Sequence, residues 1–372
     1  VIADLNATIG MSRLSSEVIN KLDQNVSGGS GVVAGSLISV PSGQSAPDGY
    51  SLYQRGTPKE LVWEEKAPVS VARTSYDGAE VLHGKIYFVG GHNGSTVNLT
   101  EQYDPVLNSW EALSSISVSL NNFASSVLNG QIWLIGGWEN GTNSSDITLI
   151  DPVTNSSSSG GQLPFSIRGS TAISVDDKIF LIGGYTNQSA NTVLCFDSAT
   201  NSWSVKASMP TPRWGTELVL FDNKIWVIGG MTEEGLISHT KIESYDYIAN
   251  YWQAEPSLLN ARNCPMAWVA NGKIYVAGGH NGSEFQQTVE MYDPATKQWF
   301  VKGNLPENKF AGDAVVLNNN IYIIGGESSA GVLSNKVFAA DLNASVAGVY
   351  DLYRKDGNAS AGTPLVQAEV AD

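Results

Sequence analysis

The stretch KIYFVGGHNGS, Lys85–Ser95, returns almost unchanged as KIYVAGGHNGS at Lys273–Ser283. In both copies a run of β-branched and aromatic residues ends on two glycines, and a histidine and an Asn-Gly pair follow. The run reads as a buried strand and Asn-Gly as a tight turn.

Working outward, doublets that close such a run begin at Gly90, Gly136, Gly183, Gly229, Gly278 and Gly325. The runs before them are KIYFV, QIWLI, KIFLI, KIWVI, KIYVA and NIYII, and a turn (HGK, NGQ, DDK, DNK, NGK, NNN) joins each to an earlier apolar stretch. That is a hairpin. A polar loop and a third strand come next, and Tyr103, Phe196, Tyr245 and Tyr292 are each followed seven residues on by Trp110, Trp203, Trp252 and Trp299. Four strands in every ~47 residues, six times over, predict a radial array of blades. The doublets fall where blades crowd the axis, and only a residue without Cβ permits that approach with φ > 0.

This pattern, covering about residues 60–345, resembles the kelch repeat. The resemblance implies an all-β, six-bladed kelch propeller of four-stranded antiparallel blades. Two repeats depart from it. The second has Ile150 and Ser157 where the aromatic pair belongs, which predicts a short or loose outer strand. The sixth, VFAADLNAS, lacks its tryptophan, and KELVWEEKAP supplies Trp63 at the other end. A strand near Leu61–Glu65 is therefore expected to close the ring.

The flanks read differently. Residues 1–45 carry short amphipathic segments, one with a helix-cap pattern at Leu14, Ser15 and Ile19, and are expected to be a stalk-like or flexible extension that can support a homo-oligomer. GSLISVPSGQSAPDGYSLYQRG loosely resembles phage tail-fibre collar segments, and GVYDLYRKDG echoes GYSLYQRG. The expected division is 1–45 extension, 46–345 propeller and 346–372 tail or linker. With VIADLNATIG at its start, the chain reads as a piece of a larger extracellular or surface protein.

The net charge of −15 argues against nucleic acid and anionic membrane as partners. No apolar run approaches the ~20 residues that span a bilayer. Two cysteines, Cys195 and Cys264, supply no disulfide framework.

Residues just before the first strand of each blade and just after its doublet should meet at one mouth of the channel. The first set is Arg73, Asn121, Arg168, Arg213, Arg262 and Lys309, with Trp214 and Asn263 beside them. The second is His92, Trp138, Tyr185, Met231, His280 and Glu327. Guanidinium forks suit carboxylates, phosphates or sulfates, and the tryptophans suit a sugar or an apolar side chain. The competing reading is that these arginines pair with carboxylates or carbonyls of the blades. Four scattered histidines show no metal-ligand spacing, and no cofactor is implied.

The expected function is non-catalytic recognition of an anionic glycan or acidic peptide at an Arg-lined mouth. The resemblance supports this, since kelch domains of ubiquitin-ligase adaptors hold acidic peptides with mouth arginines. One alternative is a sugar-epimerase-like enzyme using Glu139 or Glu327; copper-radical chemistry is disfavoured, because no Tyr-His pair occurs. Another is a structural spacer.

Overall fold

A computed structural model of the chain describes residues 61–114, 116, 120–232 and 237–342, together with the backbone of four flanking strands. The chain divides into two units, Leu61–Leu342 and the flanks that precede and follow it. The first unit is the propeller. Strand Tyr50–Gln54 belongs with the flanks.

Each blade runs outward from the channel in chain order. Blade 1 is Ala79–Leu82, Lys85–Val89, Thr100–Asp104 and Ser109–Ala112. Blades 2 to 5 repeat that order. Blade 6 takes its first three strands from Asp313–Leu317, Asn320–Ile324 and Val337–Asp341, and its fourth from Glu64–Lys66. Glu64 pairs with Ala339 and Lys66 with Val337, so the ring closes by the N-terminal strand as expected. Blade 2 corrects an expectation. Its outer strand, Ser156–Gln162, is seven residues long despite the missing aromatic pair. Backbone pairing carries it, with Ile150 opposite Ser157 and a bulge after Ile147.

The Tyr-x6-Trp spacing is a staple between blades. Tyr245 and Trp252 face each other across the outer pair, with ring centroids 4.9 Å apart. The Trp252 Nε1–H donates to the carbonyl of Ala207, in the linker from blade 3, at 2.8 Å. Asn250 Oδ1 accepts from both Tyr245 Oη–H (2.6 Å) and Ala207 N–H (2.8 Å). Trp110 donates likewise to Ala67 O, Trp299 to Pro256 O and Trp63 to Asn304 O. Trp252→Phe keeps the stacking and loses the bond, so it should cost about 1 kcal/mol in urea unfolding.

The flanks form their own four-stranded sheet. Leu37–Ser39 runs parallel to Val366–Glu369, which pairs antiparallel with Val349–Arg354, and that strand pairs antiparallel with Tyr50–Gln54. The two segments that echo each other in sequence are thus partners, with Tyr50 opposite Arg354 and Leu52 opposite Leu352. The expected helix cap at Ser15 and the rest of residues 1–36 lie outside the described residues.

Candidate functional site

The HNGS tetrapeptide that follows the first and fifth doublets builds a loop. His92 Nδ1 accepts the Gly94 N–H at 3.4 Å, and His280 Nδ1 accepts that of Gly282 at 3.0 Å. Asn281 Oδ1 accepts from the Ser283 and Glu284 N–H groups at 2.8 Å. Backbone bridges then join each loop to the start of its blade: Thr74 to His92, Asn121 to Trp138, Arg168 to Tyr185, Trp214 to Met231, Asn263 to His280 and Phe310 to Glu327. These twelve residues ring the mouth.

That register corrects the expected arginine ring. The residue before each bridge is a different set: Arg73, Leu120, Ile167, Arg213, Arg262 and Lys309. Their carbonyls each accept an N–H from the second glycine of the preceding blade's doublet, as Gly184 donates to Arg213 O and Gly137 to Ile167 O. Asn121 and Arg168 sit one position later than the other four. A slip of one residue on extended chain turns a side chain to the opposite side.

The four basic residues at the earlier position are enclosed. Arg73, Arg213, Arg262 and Lys309 are each 0% exposed. Arg262 donates to Glu290 Oε1 at 2.9 Å, to Gly278 O at 2.7 Å and to Thr288 O at 3.1 Å. Arg213 reaches Glu243 Oε2 (2.8 Å) and Gly229 O (2.6 Å), and Arg73 reaches Glu101 Oε2 (2.6 Å) and Phe88 O (3.2 Å). Lys309 binds Gly325 O, Ser334 Oγ and Glu307, all at 2.8 Å. These side chains brace the end of the second strand, and the side chains of Arg73, Arg213 and Arg262 are enclosed rather than exposed at the mouth. The partner sits on the third strand. Glu101, Glu243 and Glu290 lie opposite Phe88, Val227 and Val276, whereas blade 2 has Thr148 there with Leu120, and blade 3 has Leu194 with Ile167.

Arg168 is the exception. Among the described residues it has no carboxylate partner, and its Nε is buried without a hydrogen bond. Its guanidinium carbon lies 4.3 Å from the Trp138 ring centroid and 4.9 Å from that of Tyr185. Asn143 fixes this pair of loops, because its Nδ2 donates to Tyr185 O at 3.2 Å and to Thr186 O at 2.6 Å. Trp214 packs against Tyr185, with centroids 5.8 Å apart. Across the mouth, His280, Phe285 and Phe310 form an aromatic group that Tyr76 joins at 6.1 Å from Phe310.

A break in the inner ring shapes the cavity beside Arg168. Just inside the mouth, N–H groups donate from blade to blade: Ser75 to Ala311 O, Ala311 to Cys264 O, Cys264 to Gly215 O, Gly215 to Gly169 O and Gly169 to Asn122 O. Blades 2 to 6 hold a left-handed residue at this level, namely Asn122, Gly169, Gly215, Cys264 and Ala311. Blade 1 has one residue more before its doublet, and there Tyr76 takes the left-handed conformation, with φ 72°. The cavity opens between Tyr76 and blade 2. It holds about 280 Å³ and is lined by Thr74, Tyr76, His92, Asn121, Asn122, Trp138 and Arg168. A tyrosine in that conformation is strained, and strain of this kind gathers at binding sites. Burial, and then Cys264, pushes the Tyr76 phenol well above its ordinary value, so it stays neutral.

No carboxylate lines this cavity. Glu139 faces Ser144 Oγ at 3.5 Å, and Glu327 accepts the Gly331 N–H of its own loop at 2.5 Å. Among the described residues no three His, Cys, Asp or Glu side chains are grouped to hold a metal.

Six closed four-stranded blades define a β-propeller, with Arg168 and a group of aromatic rings at its mouth. Comparison with known proteins places the repeats. The family model described as the KLHDC2/KLHL20/DRC7 Kelch-repeats domain matches residues 169–347, and the Kelch motif matches 74–117 and 119–164. The chain belongs to the kelch-repeat family. It is 33% identical over 112 residues to human Kelch-like protein 33, covering 29% of this chain and 21% of that protein. Over 76 residues it is 33% identical to an F-box/kelch-repeat protein of Arabidopsis thaliana, covering 20% of each. The match thus spans about a fifth of each relative. The solved structure of YjhT superposes with a TM-score of 0.65 at 17% identity, covering 77% of this chain and 99% of that one.

Proposed function

We propose that the propeller is a non-catalytic recognition module, and that its mouth takes a carboxylate of an acidic segment in a protein partner onto Arg168. The observation that carries this reading is the unpaired guanidinium beside a cavity, in a fold that pairs its other ring arginines internally. With Nε enclosed and the Trp138 and Tyr185 rings packed against the group, the terminal nitrogens are what a ligand meets. A net charge of −15 repels polyanions at a distance. The site therefore suits one or two carboxylates flanked by apolar groups, which the aromatic side of the mouth accommodates, better than a sulfated chain.

The test is the full chain, and its Arg168→Gln variant, on arrays of acidic peptides and of uronic and sialylated glycans. The expected result is peptide binding that weakens about tenfold or more in the variant, the scale of a charge-assisted hydrogen bond. Binding confined to glycans would move the ligand class, and silence from both proteins would favour a spacer.

A further inference from the structure

Below the mouth, four carboxylates from three blades meet at the channel. Asp77 follows the strained Tyr76, and its Oδ2 accepts the Ser125 N–H of blade 2 at 3.0 Å and the Ala172 N–H of blade 3 at 3.4 Å. Glu80, in the innermost strand of blade 1, accepts the Ser125 Oγ–H at 2.7 Å. Glu217 begins the innermost strand of blade 4 and Asp313 that of blade 6. Asp313 is 7% exposed; its Oδ1 accepts the Gly78 N–H at 3.3 Å, and its Oδ2 has no hydrogen-bond partner.

The surroundings offer little compensation. Arg73 acts on Asp313 but is already held by Glu101. Blade 5 presents the Cys264 thiol, which burial, and then Glu217, pushes far up. Blades 2 and 3 present Ser125 and backbone amides to the cluster. Four anions in such a space repel one another and lose hydration, so the ionised set is costly.

We propose that this channel is a shared proton-binding site, which locks blades 1, 2, 3 and 6 together while protonated and loosens as its carboxylates ionise. The proposal is independent of the ligand at the mouth. Burial first, opposed by the Ser125 hydroxyl, lifts the Glu80 carboxyl to about 7. Burial likewise lifts Asp313 to about 7, against the lowering influence of Ser75 and of the Gly78 N–H. Asp77 and Glu217 are pushed well above the usual carboxylate range by burial and then by their acidic neighbours.

A carboxyl raised in the folded state contributes stability that is complete below its unfolded value, near pH 4, and is lost as the pH rises through the folded value. The propeller should therefore lose stability progressively as the pH rises from about 4 to about 7, and further still as Asp77 and Glu217 ionise. The turn carboxylates Asp104, Asp197 and Asp293, each lowered chiefly by its lysine, act oppositely and only in acid.

The test follows the melting temperature of the full chain from about pH 4 to pH 8, beside Glu217→Gln and Asp313→Asn. The expected result is a reversible fall of several degrees in the native protein, and a smaller fall in each variant. Infrared spectra of the native protein should show the carbonyl stretch of a protonated carboxylic acid at pH 7, fading by pH 8.5. That readout stands even where a variant fails to fold. A flat native profile, a slope unchanged in folded variants, or no such band at pH 7 would overturn the proposal.

Discussion

Replacing Arg262 with alanine is expected to cost the propeller about 3–5 kcal/mol, because it strands Glu290 as an uncompensated charge in the interior. Both side chains of the pair are 0% exposed. Glu290 also accepts the Leu259 and Asn260 N–H groups, at 2.8 and 3.1 Å, and these bonds remain but do not neutralise it. For a ring of this size the loss corresponds to roughly 10 °C in melting temperature. Blade 3 shows what repairs it. There Ile167 and Leu194 occupy the equivalent positions, and both are buried. The double change Arg262→Ile with Glu290→Leu should recover most of the loss, as replacing a buried ion pair with apolar residues commonly does. Recovery stays incomplete because the Leu259 and Asn260 amides lose their acceptor. Thermal unfolding of the single and double variants measures both effects.

The second large effect is at the doublets. A Cβ on Gly229 would lie 2.5 Å from the Arg262 carbonyl oxygen, and the residue has φ +63°. That carbonyl accepts the Gly230 N–H, so it cannot retreat without breaking the bond between blades 4 and 5. Gly229→Ala is expected to cost on the order of 4 kcal/mol, from the left-handed conformation and the clash together. Gly272→Ala separates the two. Gly272 has φ +67° with nothing within 4 Å of its added Cβ, so it should cost only about 1 kcal/mol. Denaturant midpoints of the two variants give the comparison.

The ring itself was legible because its cause is local and repeated. The doublets mark carbonyl contacts between blades, the Tyr-x6-Trp spacing marks the staple, and Trp63 marks the closing strand. The mouth was legible only in part. Counting back from the doublets gathered Arg168 with Arg213, although Arg168 lies fifteen residues before its doublet and Arg213 sixteen. The signal that separates them lies on the third strand, where Glu101, Glu243 and Glu290 stand with the arginines and Leu194 stands with Ile167. Distance along the chain hides that pairing. The added residue at Tyr76 was equally hidden, since one extra position in a polar stretch leaves no pattern. The acid cluster joins blades 1, 4 and 6, and only ring closure brings those together.

One reader and three braces among four arginines is the central claim. The most direct measurement is a side-by-side thermal unfolding of Arg73→Gln, Arg168→Gln, Arg213→Gln and Arg262→Gln. Arg168 gives up only contacts with two rings, so its variant should stay within about 1 kcal/mol of the native protein. The other three should each lose more than about 2 kcal/mol. An Arg168 variant as unstable as the rest, or Arg213 and Arg262 variants as stable as the native protein, would contradict the division.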